Sequence, residues 1–102
     1  MVFATADLPM LPGALELSQS NLPGGGRTNQ AHFGPRVRVS DGVDEPRRRV
    51  AFDPQTSGGL LIVVDPRAAG GLVRELERAQ VTVWTVGRVA SSRSDGILVC
   101  LE

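Results

Sequence analysis

The chain has 102 residues, enough for one small domain or for a piece of a larger one. Its formal net charge is zero and it contains a single cysteine, Cys100, which excludes an internal disulfide. No stretch approaches the roughly 20 apolar residues of a membrane helix, and the N-terminus lacks the pattern of a signal peptide. Composition therefore argues against nucleic-acid and membrane partners and predicts a cytoplasmic protein.

The first part of the chain, residues 1–52, is predicted to be rich in loops. A short helix is expected near Pro12, which suits a first helical position, and Asn21 can end it. The run Pro23-Gly24-Gly25-Gly26 predicts a flexible segment, because glycine favours no single backbone conformation.

A second short helix is expected to open at Asp44 and to run through Arg49. Before it, Val37 and Val39 alternate over too few residues to define a strand. The five arginines between Arg36 and Arg49 are the only local excess of charge. Since no aromatic residues interleave with them, a solvated face or a subunit contact is expected ahead of phosphate binding.

The second part, residues 53–102, is predicted to form a compact unit. The apolar, β-branched run Leu60–Val64 is typical of a buried strand. Asp65 is a good N-cap and Pro66 a good first residue for a helix that extends to about Gln80. The apolar positions of this helix repeat with helical spacing.

Two further strands are predicted, at 81–89 and 97–101, joined as a hairpin through the polar residues 91–96. Trp84 on the first of them is expected in the core or in a subunit interface. The fold class is thus α/β (α+β), with a strand-helix-strand-strand unit after the loop-rich segment. Because such a unit leaves open sheet edges, the chain is predicted to be one partial domain.

The run from Asp53 to Leu61 is the candidate for chemistry. Its Thr56-Ser57-Gly58-Gly59 tetrapeptide offers two hydroxyls and unobstructed backbone N–H groups just before the predicted strand. Such a loop can approach a phosphate, or it can simply bend tightly into the strand. His32 has no second metal ligand near it in sequence and is expected to be exposed.

This run, Asp-Pro-Gln-Thr-Ser-Gly-Gly-Leu-Leu, resembles a signature near the C-terminus of selenophosphate synthetases (selenide, water dikinases), which belong to the aminoimidazole ribonucleotide synthetase-like superfamily. Three other segments are similar to the family in the same order, namely 8–14, 23–29 and 83–89. One departure is Gly26, which stands where the family usually has Thr. The resemblance implies an aminoimidazole ribonucleotide synthetase-like C-terminal domain.

The resemblance also implies a reaction, in which selenide, ATP and water give selenophosphate, AMP and phosphate with Mg²⁺. The family's nucleophilic Cys or selenocysteine, its Lys and its metal-binding aspartates precede the region resembled here, so no catalytic or metal residue carries over. Cys100 lies in the wrong place to be the nucleophile. The site candidates that remain are the following: Asn29, Thr56, Ser57, Gly58 and Gly59, with an active-site role and a structural role both open.

This chain alone is accordingly expected to be inactive and to hold neither ATP nor Mg²⁺ firmly. Its expected partner is an N-terminal half or a full-length enzyme of the family, whose members are typically homodimers. Two alternatives stay open. One is a non-catalytic module that binds a partner or a phosphate through Thr56–Gly59, and the other is a fragment of a thiamin-phosphate kinase or hydrogenase-maturation relative.

Overall fold

A computed structural model describes residues 1–21 and 23–102. Four α-helices and four strands lie in the described residues, with bounds as follows: β1 Val2–Phe3, α1 Ala14–Ser20, α2 Gly24–Phe33, β2 Val37–Val39, α3 Glu45–Ala51, α4 Pro66–Arg78, β3 Gly87–Arg88 and β4 Val99–Leu101. Short 3₁₀ turns at Thr5–Asp7 and Gly34–Arg36 complete the regular structure. The predicted mixed α/β class is confirmed.

The strands form one mixed sheet in the order β2-β4-β1-β3. Strand β4 lies between β2 and β1 and is parallel to both, while β1 pairs with β3 in the antiparallel sense. The predicted hairpin between the last two strands is therefore wrong, because β1 lies between them. Strand β1 was not predicted, and it joins the two halves of the chain because both strands that it pairs with lie in residues 53–102.

Helices α1, α3 and α4 occur where the sequence predicts helices. The Asp44 carboxylate accepts a hydrogen bond from the Arg47 backbone N–H at the start of α3, and Asp65 accepts one from Arg67 N–H at the start of α4. Helix α4 ends at Arg78 rather than at Gln80, since Gln80 adopts a left-handed φ of 59°. Pro12 precedes α1 by two residues instead of opening it.

Helix α2 corrects the prediction for the glycine-rich segment. Gly24, Gly25 and Gly26 form its first turn, and Gly26 is buried. A Cβ atom at Gly25 would lie 2.7 Å from Cγ of Pro54, so this glycine allows the helix to lie against the start of the 53–61 run. Packing thus outweighs the cost of glycine in a helix, about 1 kcal/mol per residue.

The predicted strand at 60–64 does not join the sheet, and in the 81–89 segment only Gly87–Arg88 does. Apolar side chains of these segments face solvent: Leu60 is 91% exposed, Ile62 53% and Trp84 54%. Trp84 is therefore not in the core of this chain. The five apolar residues 60–64 form no strand, and in the described part of the chain no strand pairs with them.

The buried apolar core is small. Among the described residues it consists of Val2, Phe52 and Leu101, and none of their side chains is completely enclosed. The accessible surface of 7572 Å² exceeds the roughly 5,500 Å² expected for a compact monomer of this mass. The Cα radius of gyration, 14.9 Å, likewise exceeds the roughly 12.8 Å expected for this length.

Within residues 1–21 and 23–102, no helix is both long and apolar enough to cross a membrane.

Candidate functional site

The run 53–61 leaves the C-terminal end of α3 and crosses the surface toward α4. Phe52, immediately before it, is buried, and the backbone N–H of Asp53 donates to the Val50 carbonyl at 3.0 Å. The chain then bends at Thr56 and Ser57 and continues without regular secondary structure to Asp65. Every residue from Asp53 to Leu61 is exposed, so the run is anchored only at its start.

Asn29 supplies part of that anchor. Its Nδ2 donates a hydrogen bond to the Phe52 carbonyl at 3.0 Å, in a partly buried position on α2. This bond reaches the residue before the run rather than the Thr56–Gly59 loop. Together with the contact between Gly25 and Pro54, it places α2 against the beginning of the signature segment. This hydrogen bond is a structural contact, and an active-site role of Asn29 stays a prediction.

The Thr56–Gly59 loop is open on its outer side. In the part of the chain that the structure describes, no hydrogen bond engages the hydroxyl of Thr56 or Ser57. A Cβ at Gly58 would make only ordinary contact with Gln55, and one at Gly59 would meet nothing within 4 Å. Since neither glycine has a positive φ, nothing described in this chain requires glycine there. A close approach from outside would require it.

The arginines between Arg36 and Arg49 are mostly engaged within the chain. Arg38 pairs with Asp95, Arg47 pairs with Asp44, and Arg48 and Arg49 both approach Glu45. Arg49 also donates from Nη1 to the carbonyls of Ser18 and Gln19, at the C-terminal end of α1. This segment is largely a solvated, self-paired face, one of the two interpretations that the sequence favoured.

In this segment, nearby hydrogen-bond donors lower the pKa of Asp44. The Arg47 backbone N–H, followed by its guanidinium, holds the pKa of Asp44 below its usual range.

Among the described residues, no three His, Cys, Asp or Glu side chains converge as a metal site would require. His32 is exposed, as predicted, with its ring edge against Phe33.

Sequence reasoning missed Gly25 and Phe52 as the residues that hold the signature run. No local signal marks them, because their role depends on α2 and α3 meeting in space. The pairing of Gly25 with Pro54 joins positions 29 residues apart, and only the folded chain brings them together.

The chain matches no protein-family model. It is, however, 38% identical over 99 residues to a selenide, water dikinase of Nitratidesulfovibrio vulgaris, which covers 96% of this chain and 28% of that protein. The enzyme of Pelobacter propionicus is 40% identical over 96 residues, and that of Caldanaerobacter subterraneus 37% over 99 residues.

The chain spans about 28% of the length of these curated relatives. Alignments that cover more than nine-tenths of this chain span the signature run. These similarities, together with the ordered motifs at 8–14, 23–29, 53–61 and 83–89, show that the chain belongs to the selenide, water dikinase (selenophosphate synthetase) family, as a part that corresponds to its C-terminal region.

Proposed function

We propose that this chain supplies the C-terminal part of a selenophosphate synthetase and acts in selenophosphate formation only when it is joined to the remaining part of the enzyme. The observation that carries the proposal is the apolar segment Leu60–Val64, which overlaps the end of the signature run and is exposed throughout. An exposed apolar segment that pairs with no described strand is available to pair with another chain.

The exposed area supports the same conclusion. The excess over a compact monomer is about 2,000 Å². Obligate interfaces typically bury about 2,000 Å² or more, so the exposed surface is of the size that a permanent partner covers. Joined in this way, the chain completes an aminoimidazole ribonucleotide synthetase-like C-terminal domain, with Leu60–Val64 as a buried strand and Trp84 in the interface.

In the joined enzyme, the Thr56–Gly59 loop contributes to the mouth of the active site. Its two hydroxyls have no hydrogen-bond partner among the described residues, and its glycines leave space for a close approach. ATP, Mg²⁺ and the nucleophile are then held by residues outside these 102. The names of the relatives support this member of the superfamily over a thiamin-phosphate kinase or a hydrogenase-maturation protein.

A chimera tests the proposal. The matching 28% of the Nitratidesulfovibrio vulgaris enzyme is replaced by this chain, and selenide-dependent ATP turnover is measured against the truncated enzyme. We expect the truncated enzyme to be inactive, the 102-residue chain to be inactive alone, and the chimera to regain turnover. A folded but inactive chimera, or turnover by the chain alone, would contradict the proposal.

Matched variants locate the contact. Ile62→Asp places a charge on the apolar segment and is expected to abolish turnover of the chimera, because a charge there cannot be buried unpaired. Arg67→Gln changes an exposed side chain on α4 and is expected to leave turnover unchanged. Equal effects of the two substitutions would show that the Leu60–Val64 segment is not the contact.

A further inference from the structure

A cavity of about 420 Å³ lies between α2, β2 and α3. Val37, Val39 and Phe52 supply apolar walls, and Arg27 and Arg48 supply positive charge. None of the acidic residues of the described chain is among its lining residues, and neither is any residue of the Thr56–Gly59 loop. The cavity is thus distinct from the Thr56–Gly59 loop, although Phe52 borders both the cavity and the start of the signature run.

Arg48 is the distinctive group in this cavity. Its Nε is buried and makes no hydrogen bond with the described residues. Its Nη1 lies 3.6 Å from the Glu45 carboxylate, and the side chain as a whole is 43% exposed. Buried donors in folded proteins are almost always paired, so the unpaired Nε–H points to an acceptor supplied from outside the chain.

We propose that this cavity binds a small organic oxyanion, a carboxylate or a phosphate ester, that carries an apolar group. The oxyanion accepts charge-assisted hydrogen bonds from Arg48, whose planar guanidinium suits such groups. The apolar group lies on Val37, Val39 and Phe52. The volume falls within the roughly 300–1,000 Å³ of small-molecule sites.

The proposal concerns the 102-residue chain by itself and does not depend on selenophosphate formation. Benzoate and phenyl phosphate are titrated into the ¹⁵N-labelled chain, and the Arg48 Nε–H signal is followed by NMR. Benzyl alcohol and inorganic phosphate serve as probes that carry only the apolar group or only the oxyanion.

We expect both aromatic oxyanions to bind saturably, to shift the Arg48 Nε–H signal, and to bind about tenfold more tightly than either single-feature probe. Equal binding of benzyl alcohol would overturn the role of the oxyanion. Signal changes confined to residues 60–64 would overturn the location, because benzoate would then be adsorbing to the exposed apolar segment.

Two substitutions on one helix sharpen the test. Arg48→Lys keeps the positive charge but removes the Nε–H, and is expected to weaken benzoate binding about tenfold. Arg47→Lys alters the adjacent residue, which does not line the cavity, and is expected to bind as the unaltered chain does. Unchanged affinity in Arg48→Lys overturns the proposal; should that variant not fold, the Nε–H shift in the unaltered chain decides it.

Discussion

Asn29 connects two segments that lie far apart in sequence. Its side chain was a candidate for the active site on the basis of motif similarity, and the structure gives it a bond to the Phe52 carbonyl. That bond fixes the point at which the signature run leaves α3. Asn29 thus affects the placement of the signature run, whether or not its own side chain touches a ligand.

The first prediction concerns this bond. Asn29→Ala leaves the partly buried Phe52 carbonyl without its donor and is expected to lower the free energy of unfolding by about 1 kcal/mol. Urea unfolding measures the change. Thr28→Ala, one position earlier, loses only an exposed bond to the Gly24 carbonyl of its own helix and should be close to neutral. Equal losses in the two variants would argue against an anchoring role for Asn29.

The second prediction concerns Asp95, which organises the turn before β4. Hydrogen bonds from the Arg93 side chain and then from the Ile97 backbone N–H hold the pKa of its carboxyl far below the usual range, and Arg38 adds a favourable charge. A depressed carboxyl pKa stabilises the folded state above the unfolded pKa, about 3.9. That stabilisation is lost as the pH falls from there toward the folded pKa.

Asp95→Asn is therefore expected to unfold at a lower temperature than the unaltered chain at pH 7, with a difference that shrinks as the pH falls below about 4. Thermal unfolding across pH measures it. Arg93→Gln should reproduce the effect in part, since it removes the side-chain hydrogen bonds that lower the pKa of Asp95 most. A difference in melting temperature that is independent of pH would show that the carboxylate charge is not responsible.

Among the helices, α1 and α3 form a pair held by Arg49. This residue donates to the Ser18 carbonyl at 3.0 Å and to the Gln19 carbonyl at 2.9 Å, groups that the end of α1 leaves without helical partners. The positive charge also suits the C-terminal end of a helix. One side chain thus caps one helix from another.

The third prediction follows from this cap. Arg49→Met keeps much of the side-chain volume and removes the donors, so it is expected to lower the free energy of unfolding by about 1.5–3 kcal/mol. Urea unfolding measures the loss, and faster hydrogen exchange in α1 would assign it to the helix pair. Arg47→Met, which loses an exposed pair with Asp44, is expected to cost about 1 kcal/mol or less. A smaller loss for Arg49 than for Arg47 would contradict the cap.

In helix α4, by contrast, the side-chain hydrogen bonds among the described residues involve its own residues and its N-cap, Asp65. Its caps and its apolar stripe are those of a helix that packs on a sheet, yet Leu72, Val73 and Leu76 are only half-buried. The helix therefore has its N-cap and its regular backbone, but the described residues cover its apolar side only in part. The same holds for Leu60–Val64, which precedes it.

For the whole molecule, the interface proposed above includes Trp84, the only tryptophan of the chain. Because its side chain is 54% exposed, a spectroscopic signal from Trp84 depends on whether solvent or protein surrounds it. In the proposed joined enzyme it lies in an interface, where aromatic residues are enriched.

The fourth prediction uses this residue. The chain is labelled with 5-fluorotryptophan and mixed with the truncated Nitratidesulfovibrio vulgaris enzyme, and the ¹⁹F signal is followed. We expect the solvent-induced shift of this signal to be lost on binding, and the Ile62→Asp variant to retain it. If the two chains bind and Trp84 stays open to solvent, Trp84 is not in the interface and this prediction is wrong, although the complex itself forms.

Sequence alone determined the family and the locally encoded helices. Asp44, Asp65 and Pro66 act within one helical turn, so the starts of α3 and α4 could be read from adjacent residues. The tertiary structure decided the rest. Val2 and Phe3 enter the sheet between β4 and β3, and Gly25 packs on Pro54, because these contacts join distant residues. The run 53–61 leads into an exposed apolar segment that pairs with no strand among the described residues, because pairing requires a second strand that local sequence cannot provide.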